Sequence, residues 1–230
     1  MSKELVKILW ISDLHIGSID CNAKVVLKVL KKYHFEKLII VGDLSEGKKP
    51  NEEWQRRLVK YLKKYKEKII YIEGNHDPAG NHISKFIGIQ AIKSYACTIG
   101  SKNIFAIHGH QFNDFGDNLS DHLIDWLICK IMIIIKLIEL KGINLGRIII
   151  QLCAKLNALE VTRKAKEFAN NNNYDTIICG HVHVPCHRIF RVKRENKKKR
   201  IDYFNCGCFL DGICTYLITY DNGTTKLCSI

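Results

Sequence analysis

At 230 residues, with 47% hydrophobic and 26% charged side chains, the chain can bury a real core without disulfide support. That balance excludes a disordered, collagen-like or disulfide-scaffolded protein. The formal charge of +13 favours anionic partners such as nucleic acid, phosphorylated metabolites or an acidic membrane face. A coding bias toward Lys, Ile and Asn, visible in KKYHF, KKYKEK and NNNN, accounts for the charge equally well.

The first half alternates strand and helix. Short β-branched runs predict strands at 6–12, 37–42 and 68–73. Helices fall between them at 22–33 and 51–65, where Val25, Val26, Val29 and Leu30 keep helical spacing. This βαβαβ pattern implies a parallel sheet with right-handed crossovers. From about residue 94 the style changes. SYACTIG-SKN-IFAIHG predicts a hairpin closing on Gly100-Ser101, and 186–229 predicts further strands. Within that stretch RVKREN-KKKR-IDYFN predicts a second hairpin with a very basic tip. The expected architecture is an α/β sandwich of two facing sheets with helices outside.

A helical insertion over about 117–172 interrupts what otherwise reads as one domain over 1–230. Its first part, 123–140, is rich in Ile and Leu and carries Trp126. Asp125, Lys130, Lys136 and Glu139 deny it the roughly 18 uncharged apolar residues of a membrane span. A second helix is predicted over 145–169, with Gly142 and Gly146 marking the break. The pair reads either as helices packed on the domain or as an apolar lid for a greasy substrate or a bilayer surface. Its place between two candidate ligand loops favours the lid. The cysteines are scattered, many within apolar runs, and Cys206-Gly207-Cys208 has no matching pair for zinc. A reduced, cytoplasmic setting is expected, with an acidic membrane face among the contacts the charge favours, and the strand near Lys7 leaves no signal peptide.

Five strand-like runs each end in metal-ligand residues. KILWIS leads into Asp13-Leu14-His15, and KLIIVG into Asp43. KIIYIEG leads into Asn75-His76-Asp77, IFAI into His108-Gly109-His110, and DTIICG into His181-Val182-His183. In open α/β sheets, ligands gather beyond the carboxyl ends of strands, where loops converge. Two divalent metals ~3.5–4 Å apart form a clamp for displacement at phosphorus. Such a pair needs a carboxylate that reaches both ions, and Asp43 is the natural bridge. Asp13 and His15, two apart on extended backbone, would face the metal together. Asn75 offers a carbonyl oxygen, and His108, His181 and His183 offer imidazoles. His110 and Asp114, in HGHQFNDF, are candidates for orienting or substrate-contacting groups beside the site. His34, His82, His122 and His187 lack such a setting and read as structural or exposed.

The ordered set SDLH, GDLSE, GNHD, HGH and GHVH resembles the calcineurin-like metallophosphoesterase superfamily across nearly the whole chain. The resemblance implies that Asp13, His15, Asp43 and His183 hold one metal, and Asp43, Asn75, His108 and His181 the other. It places His76 beside the phosphoryl group, to stabilise charge or protonate the leaving oxygen. Glu46 then stands where the superfamily places an acid that orients this histidine. HGHQFNDF, the helical insertion, ICGHVHVP and NCGCFLDG with CTYL resemble more closely the UDP-2,3-diacylglucosamine pyrophosphatase family and its near relatives. That likeness implies manganese-dependent cleavage of an amphiphilic nucleotide-linked pyrophosphate to UMP and a lipid phosphate, in lipid A biosynthesis. Lys155 and Arg163 on the second insertion helix would meet phosphate or sugar. The chain departs from that family's best-studied branch, which has Arg where His76 stands and Asp where His110 stands.

Two other functions compete. A metal-dependent nuclease or other phosphodiesterase would use the basic hairpin, since phosphate contacts dominate nucleic-acid affinity. Against it, no aromatic-interleaved basic groove is evident. A non-enzymatic scaffold is disfavoured because every expected ligand and His76 are present. Mixed nitrogen and oxygen ligands accept Mn²⁺, Fe or Zn²⁺ alike, and the oligomeric state is unmarked in the sequence.

Overall fold

The computed structural model describes residues 4–77, 82–112, 145–195, 197–210 and 212–230, with backbone alone for 82, 145–154 and 213. Four strands of the first sheet run parallel: β1 (Glu4–Ile11), β2 (Tyr33–Val41), β3 (Ile69–Ile72) and β4 (Ala91–Ile92). Three C-terminal strands complete it: β10 (Phe209–Leu210), β11 (Ile213–Thr219) and β12 (Thr225–Ser229). Of these, β11 lies antiparallel beside β1 and pairs with both others. The second sheet has the order β5-β6-β7-β9-β8, built from β5 (Ser94–Ile99), β6 (Lys102–Ile107), β7 (Thr176–Cys179), β8 (Cys186–Arg194) and β9 (Lys197–Asn205). Here β6, β7 and β9 are parallel, while β5 and β8 form the two expected hairpins with β6 and β9.

Strand alternation sorts the apolar side chains into layers. In β1, Leu9 and Ile11 face α1 (Ala23–Lys32) and α2 (Glu53–Lys64), while Ile8 and Trp10 face the opposing sheet. In β2, Leu38 and Ile40 divide from Ile39 and Val41 in the same way. Strands buried on both faces therefore read as unbroken apolar runs. Trp10 sits between the sheets, and its indole donates to Thr219 Oγ1 at 2.8 Å. A third cluster packs Ile177, Cys179, Ile201 and Tyr203 against Val161, Ala165 and Ala169 of α4 (Leu145–Asn171). The result is a helix–sheet–sheet–helix sandwich.

Local chemistry sets the element ends. Asn22 caps α1 by accepting from the Val25 amide, and Lys31 and Lys32 close its last turn, where cations complement the helix dipole. A short helix α3 (His82–Ile87) and the two-residue β4 escape a reading based on periodicity because neither is long enough to show one. The predicted second insertion helix corresponds to α4. Its predicted partner over 123–140, and the lid it would form, lie outside the described residues. Among the described residues, no helix is long and apolar enough to cross a membrane. The described cysteines are free, and Cys206 and Cys208 are buried in the core.

Candidate metal centre

The parallel strands of both sheets deliver their carboxyl ends to one place. From the first sheet, β1 supplies Asp13 and His15, β2 supplies Asp43, and β3 supplies Asn75 and His76. From the second, β6 supplies His108 and β7 supplies His181 and His183. The loops are sewn together through backbone. Leu14 and His15 amides both donate to Asp43 O, at 2.9 and 3.0 Å, and Gly180 N donates to His108 O at 2.8 Å. Between the sheets, His181 N donates to the Asp13 carboxylate at 3.1 Å.

The backbone is strained at these positions. Asp13, His15, Asp43, His181 and His183 all adopt positive φ, between 46° and 70°. An ordinary L-residue loses about 1–2 kcal/mol in that region. The expectation that Asp13 and His15 converge from extended backbone is therefore corrected: left-handed turns aim both side chains, with Leu14 buried between them. Glycines make the close packing fit. A Cβ on Gly42 would lie 2.0 Å from His108 Nδ1, one on Gly74 2.1 Å from Asp43 Oδ1, and one on Gly180 1.9 Å from Ser12 Oγ.

Donor atoms of Asp13, His15, Asp43 and His183 all lie within 4.8 Å of one another. His183 Nε2 is 3.0 Å from Asp13 Oδ1 and 3.3 Å from His15 Nε2, so two imidazole nitrogens and a carboxylate aim at one point. Asp43 occupies the middle. Its Oδ1 accepts from the His76 amide at 2.9 Å, while Oδ2 lies 3.8 Å from His15 Nε2 and 3.2 Å from His108 Nε2. Asn75 Oδ1 meets the same His108 nitrogen at 3.2 Å. The His181 ring stands edge-on to His108, with centroids 5.3 Å apart. His108 and Asn75 thus meet beside Asp43 Oδ2, with the His181 ring next to His108.

Tautomers are held by partners away from the cluster. His108 Nδ1 donates to Val41 O at 2.7 Å, and His15 Nδ1 bonds Glu46 Oε1, which leaves Nε2 of each ring directed inward. Metal-ligating histidines are oriented in this manner. Burial acts first on these groups and pulls in opposite senses. It disfavours charge on His108, yet the Asp43 hydrogen bond and the Asp13 and Asp43 charges outweigh it and lift the imidazole to about 9. Burial holds His181 down to about 4, so that ring is neutral at ordinary pH. Burial also opposes ionisation of Asp43, but His108, the His76 amide and His15 keep its carboxyl well below the usual range. A buried anionic oxygen between convergent imidazoles fits divalent cations that take nitrogen and oxygen donors.

His76 differs from its neighbours. It is half-exposed at the mouth, with Nδ1 3.4 Å from Glu46 Oε1 and its ring 5.1 Å from that of His15. Glu46 thus braces His15 as well as His76, a wider role than sequence assigned it. His110 opens a short 3-10 turn (His110–Phe112), its ring 5.5 Å from His108 and 6.2 Å from His181. Asp114 lies outside the described residues. Lys155 is exposed on α4, and Arg163 is engaged by Glu160 and Glu167 of its own helix at 2.7 and 2.9 Å. The structure brings neither into the cluster.

Three supporting residues were given no role by the sequence reading. The buried Asp77 carboxylate accepts from Gly74 N at 2.9 Å and Ser45 N at 3.1 Å, tying the Asn75 loop to the Asp43 loop. Ser12 donates to Val41 O at 2.7 Å beside Asp13. Asn205 donates to Gly180 O at 2.5 Å and accepts from Gly207 N. Each is a polar residue at the end of an apolar run, which was the available signal.

A family model described as calcineurin-like phosphoesterase matches residues 6–185. No curated protein matches the chain. Among solved structures, Yfce, a phosphoesterase from E. coli, is 17% identical with a TM-score of 0.50, covering 97% of this chain and 98% of that one. Vps29 from Entamoeba histolytica, solved with zinc, is 12% identical with a TM-score of 0.45, covering 97% of each chain.

Proposed function

This chain belongs to the calcineurin-like phosphoesterase family and is a metal-dependent phosphoester hydrolase; from that premise we propose its ligands, its catalytic groups and its substrate. Asp13, His15, Asp43 and His183 hold one divalent cation, and Asp43, Asn75, His108 and His181 hold the second. The observation that carries this assignment is Asp43 Oδ2, set between an imidazole nitrogen from each sheet. A cation pair there supplies Lewis acidity at phosphorus and a water of lowered pKa. Mn²⁺ is the expected metal, with Fe or Zn²⁺ able to take the same donors.

The residues of the chain divide the remaining work. Asp43 gives one oxygen to the cations and is steadied through the other by the His76 amide. Glu46 holds the His15 tautomer and stands beside His76 Nδ1. His76, half-exposed at the mouth, meets the substrate and either neutralises charge on a non-bridging oxygen or protonates the leaving oxygen. His110 flanks the His108 side and contacts substrate there.

The substrate is an amphiphilic nucleotide-linked pyrophosphate of the UDP-2,3-diacylglucosamine kind, cleaved with water to UMP and a lipid phosphate. Support comes from the HGHQFNDF, ICGHVHVP and NCGCFLDG segments and from the apolar stretch 123–140 between two ligand loops. A second reading, cleavage of nucleic-acid phosphodiesters by the same centre, draws on the charge of +13 and the basic β8–β9 hairpin. Purified protein with added Mn²⁺ is offered UDP-2,3-diacylglucosamine and single-stranded DNA in parallel. UMP release from the first with the DNA left intact supports the amphiphilic substrate. DNA cleavage without UMP release replaces it with the second reading, and inertness toward every phosphate ester with metal bound overturns both.

A further inference from the structure

The β8–β9 hairpin presents a surface that the metal centre does not use. Residues 188–202 contain eight Lys and Arg against two carboxylates, Glu195 and Asp202. The register sets Arg191 opposite Arg200 and Lys193 opposite Lys198, on the face that also bears His187 and Ile189. Like charges placed directly opposite one another weaken a ladder. The one carboxylate on that face is taken, since Asp202 accepts from Arg200 at 2.6 Å and from His187 at 2.7 Å. Among the described residues, Arg191, Lys193 and Lys198 meet no carboxylate within ion-pair distance. The face continues into a cleft of about 270 Å³ whose lining includes Lys102, Thr176, His187, Arg200, Thr225 and the Arg200-paired Asp202. Its donors are ammonium, guanidinium and hydroxyl groups.

We propose that this hairpin face binds the phosphate backbone of a nucleic-acid duplex. Directly opposed pairs on an antiparallel ribbon stand ~5 Å apart, and successive pairs on one face ~7 Å apart along the strand. Arg191, Lys193 and Lys198, beside the Arg200 that Asp202 engages, therefore form a regular row of cations, suited to an anion whose charges repeat. β8 is the edge strand of its sheet, and Arg191, Lys193, Lys198 and Arg200 are exposed there to a duplex lying along the face. An anionic bilayer is the poorer fit. Phe190 and Val192 turn inward against the α4 layer, so Ile189 is the large apolar side chain left exposed there. Surface-bound elements need apolar insertion beside their cations. The tip also lies at the end of the sheet remote from the metal residues: β9 runs parallel to β7 and places Lys197 about 26 Å before the site-facing Asn205. The inference stands whichever phosphate ester the metal centre cleaves.

Binding of the full chain, as purified without added metal, to a fluorescein-labelled DNA duplex is measured against salt. The log–log slope of affinity on salt changes by about 0.9 per phosphate neutralised on duplex DNA. Arg191→Gln, Lys193→Gln and Lys198→Gln combined should lower the slope by about two to three and the affinity at ~0.1 M salt at least tenfold. Lys28→Gln, Lys31→Gln and Lys60→Gln combined, on the helix layer of the first sheet, remove equal charge and should leave both nearly unchanged. Both triple variants should keep hydrolysis of a small phosphodiester, which shows that they fold. Equal losses in the two variants, or none in the hairpin variant, overturn the proposal. So does binding to vesicles of phosphatidylcholine and phosphatidylglycerol without binding to duplex.

Discussion

Gly74 has no chemistry of its own, yet the metal centre depends on its missing side chain. A methyl there would sit 2.1 Å from Asp43 Oδ1 and 2.3 Å from the Asp43 amide nitrogen, and the backbone cannot rotate away. Overpacking of this kind costs about 1–3 kcal/mol. Gly74→Ala should lower the urea midpoint accordingly and empty the site, read as metal content after desalting; unchanged metal content would contradict the proposed ligand set. Glu46→Gln tests a different link. It keeps the shape but loses the charge that holds His15 Nδ1, so metal affinity should fall about 10–100-fold, as for other groups behind a ligand. His76→Ala should do the reverse. Turnover should drop about 100-fold or more with metal affinity unchanged, because the half-exposed ring stands outside the proposed ligand set. Full turnover in that variant would end the role given to His76.

At the scale of elements, the hairpin β8–β9 shows how a charged ribbon stays attached to the domain. Arg194 donates to Ala169 O at 2.7 Å and Tyr174 O at 2.8 Å, which fastens it to the end of α4, and Asp202 gathers Arg200 and His187. Burial opposes ionisation of Asp202, but the Arg200 and His187 contacts prevail and hold the carboxyl below its ordinary value. A depressed folded value means stabilisation above the unfolded pKa of about 3.9, lost as pH falls through the folded one. Asp202→Asn should therefore reduce the unfolding free energy from urea titration at neutral pH by ~1 kcal/mol or less, because Arg200 is exposed. The difference from the parent chain should shrink as the pH drops below about 4. A constant difference from neutral to acid pH would assign the loss to packing instead. The hairpin itself was legible from its alternation and basic tip, and so was the one closing on Gly100-Ser101. α3 and β4 were not, since two to six residues carry no period to detect.

For the whole molecule, the proposed ligand set draws on both sheets, so a bound cation would fasten one sheet to the other. Anything that binds the folded chain alone stabilises it, by about 2.7 kcal/mol at a hundredfold excess over Kd. Added Mn²⁺ should raise the melting temperature in a concentration-dependent way, and chelation should reverse it. A melting temperature indifferent to Mn²⁺ would remove the metal centre from the account. The sequence determined by itself which residue types end five strands, because parallel strands buried on both faces leave unbroken apolar runs that stop visibly at a polar loop. It determined the family on the same motifs. What only the tertiary structure decided is how those ends meet. β8 and β9 stay with the second sheet while β10–β12 return to the first, left-handed backbone at five of the proposed ligands aims their side chains, and Asp77, Ser12 and Asn205 lock the loops in register. Each of these depends on contacts between residues far apart along the chain, and such contacts leave no local pattern in the residues that make them.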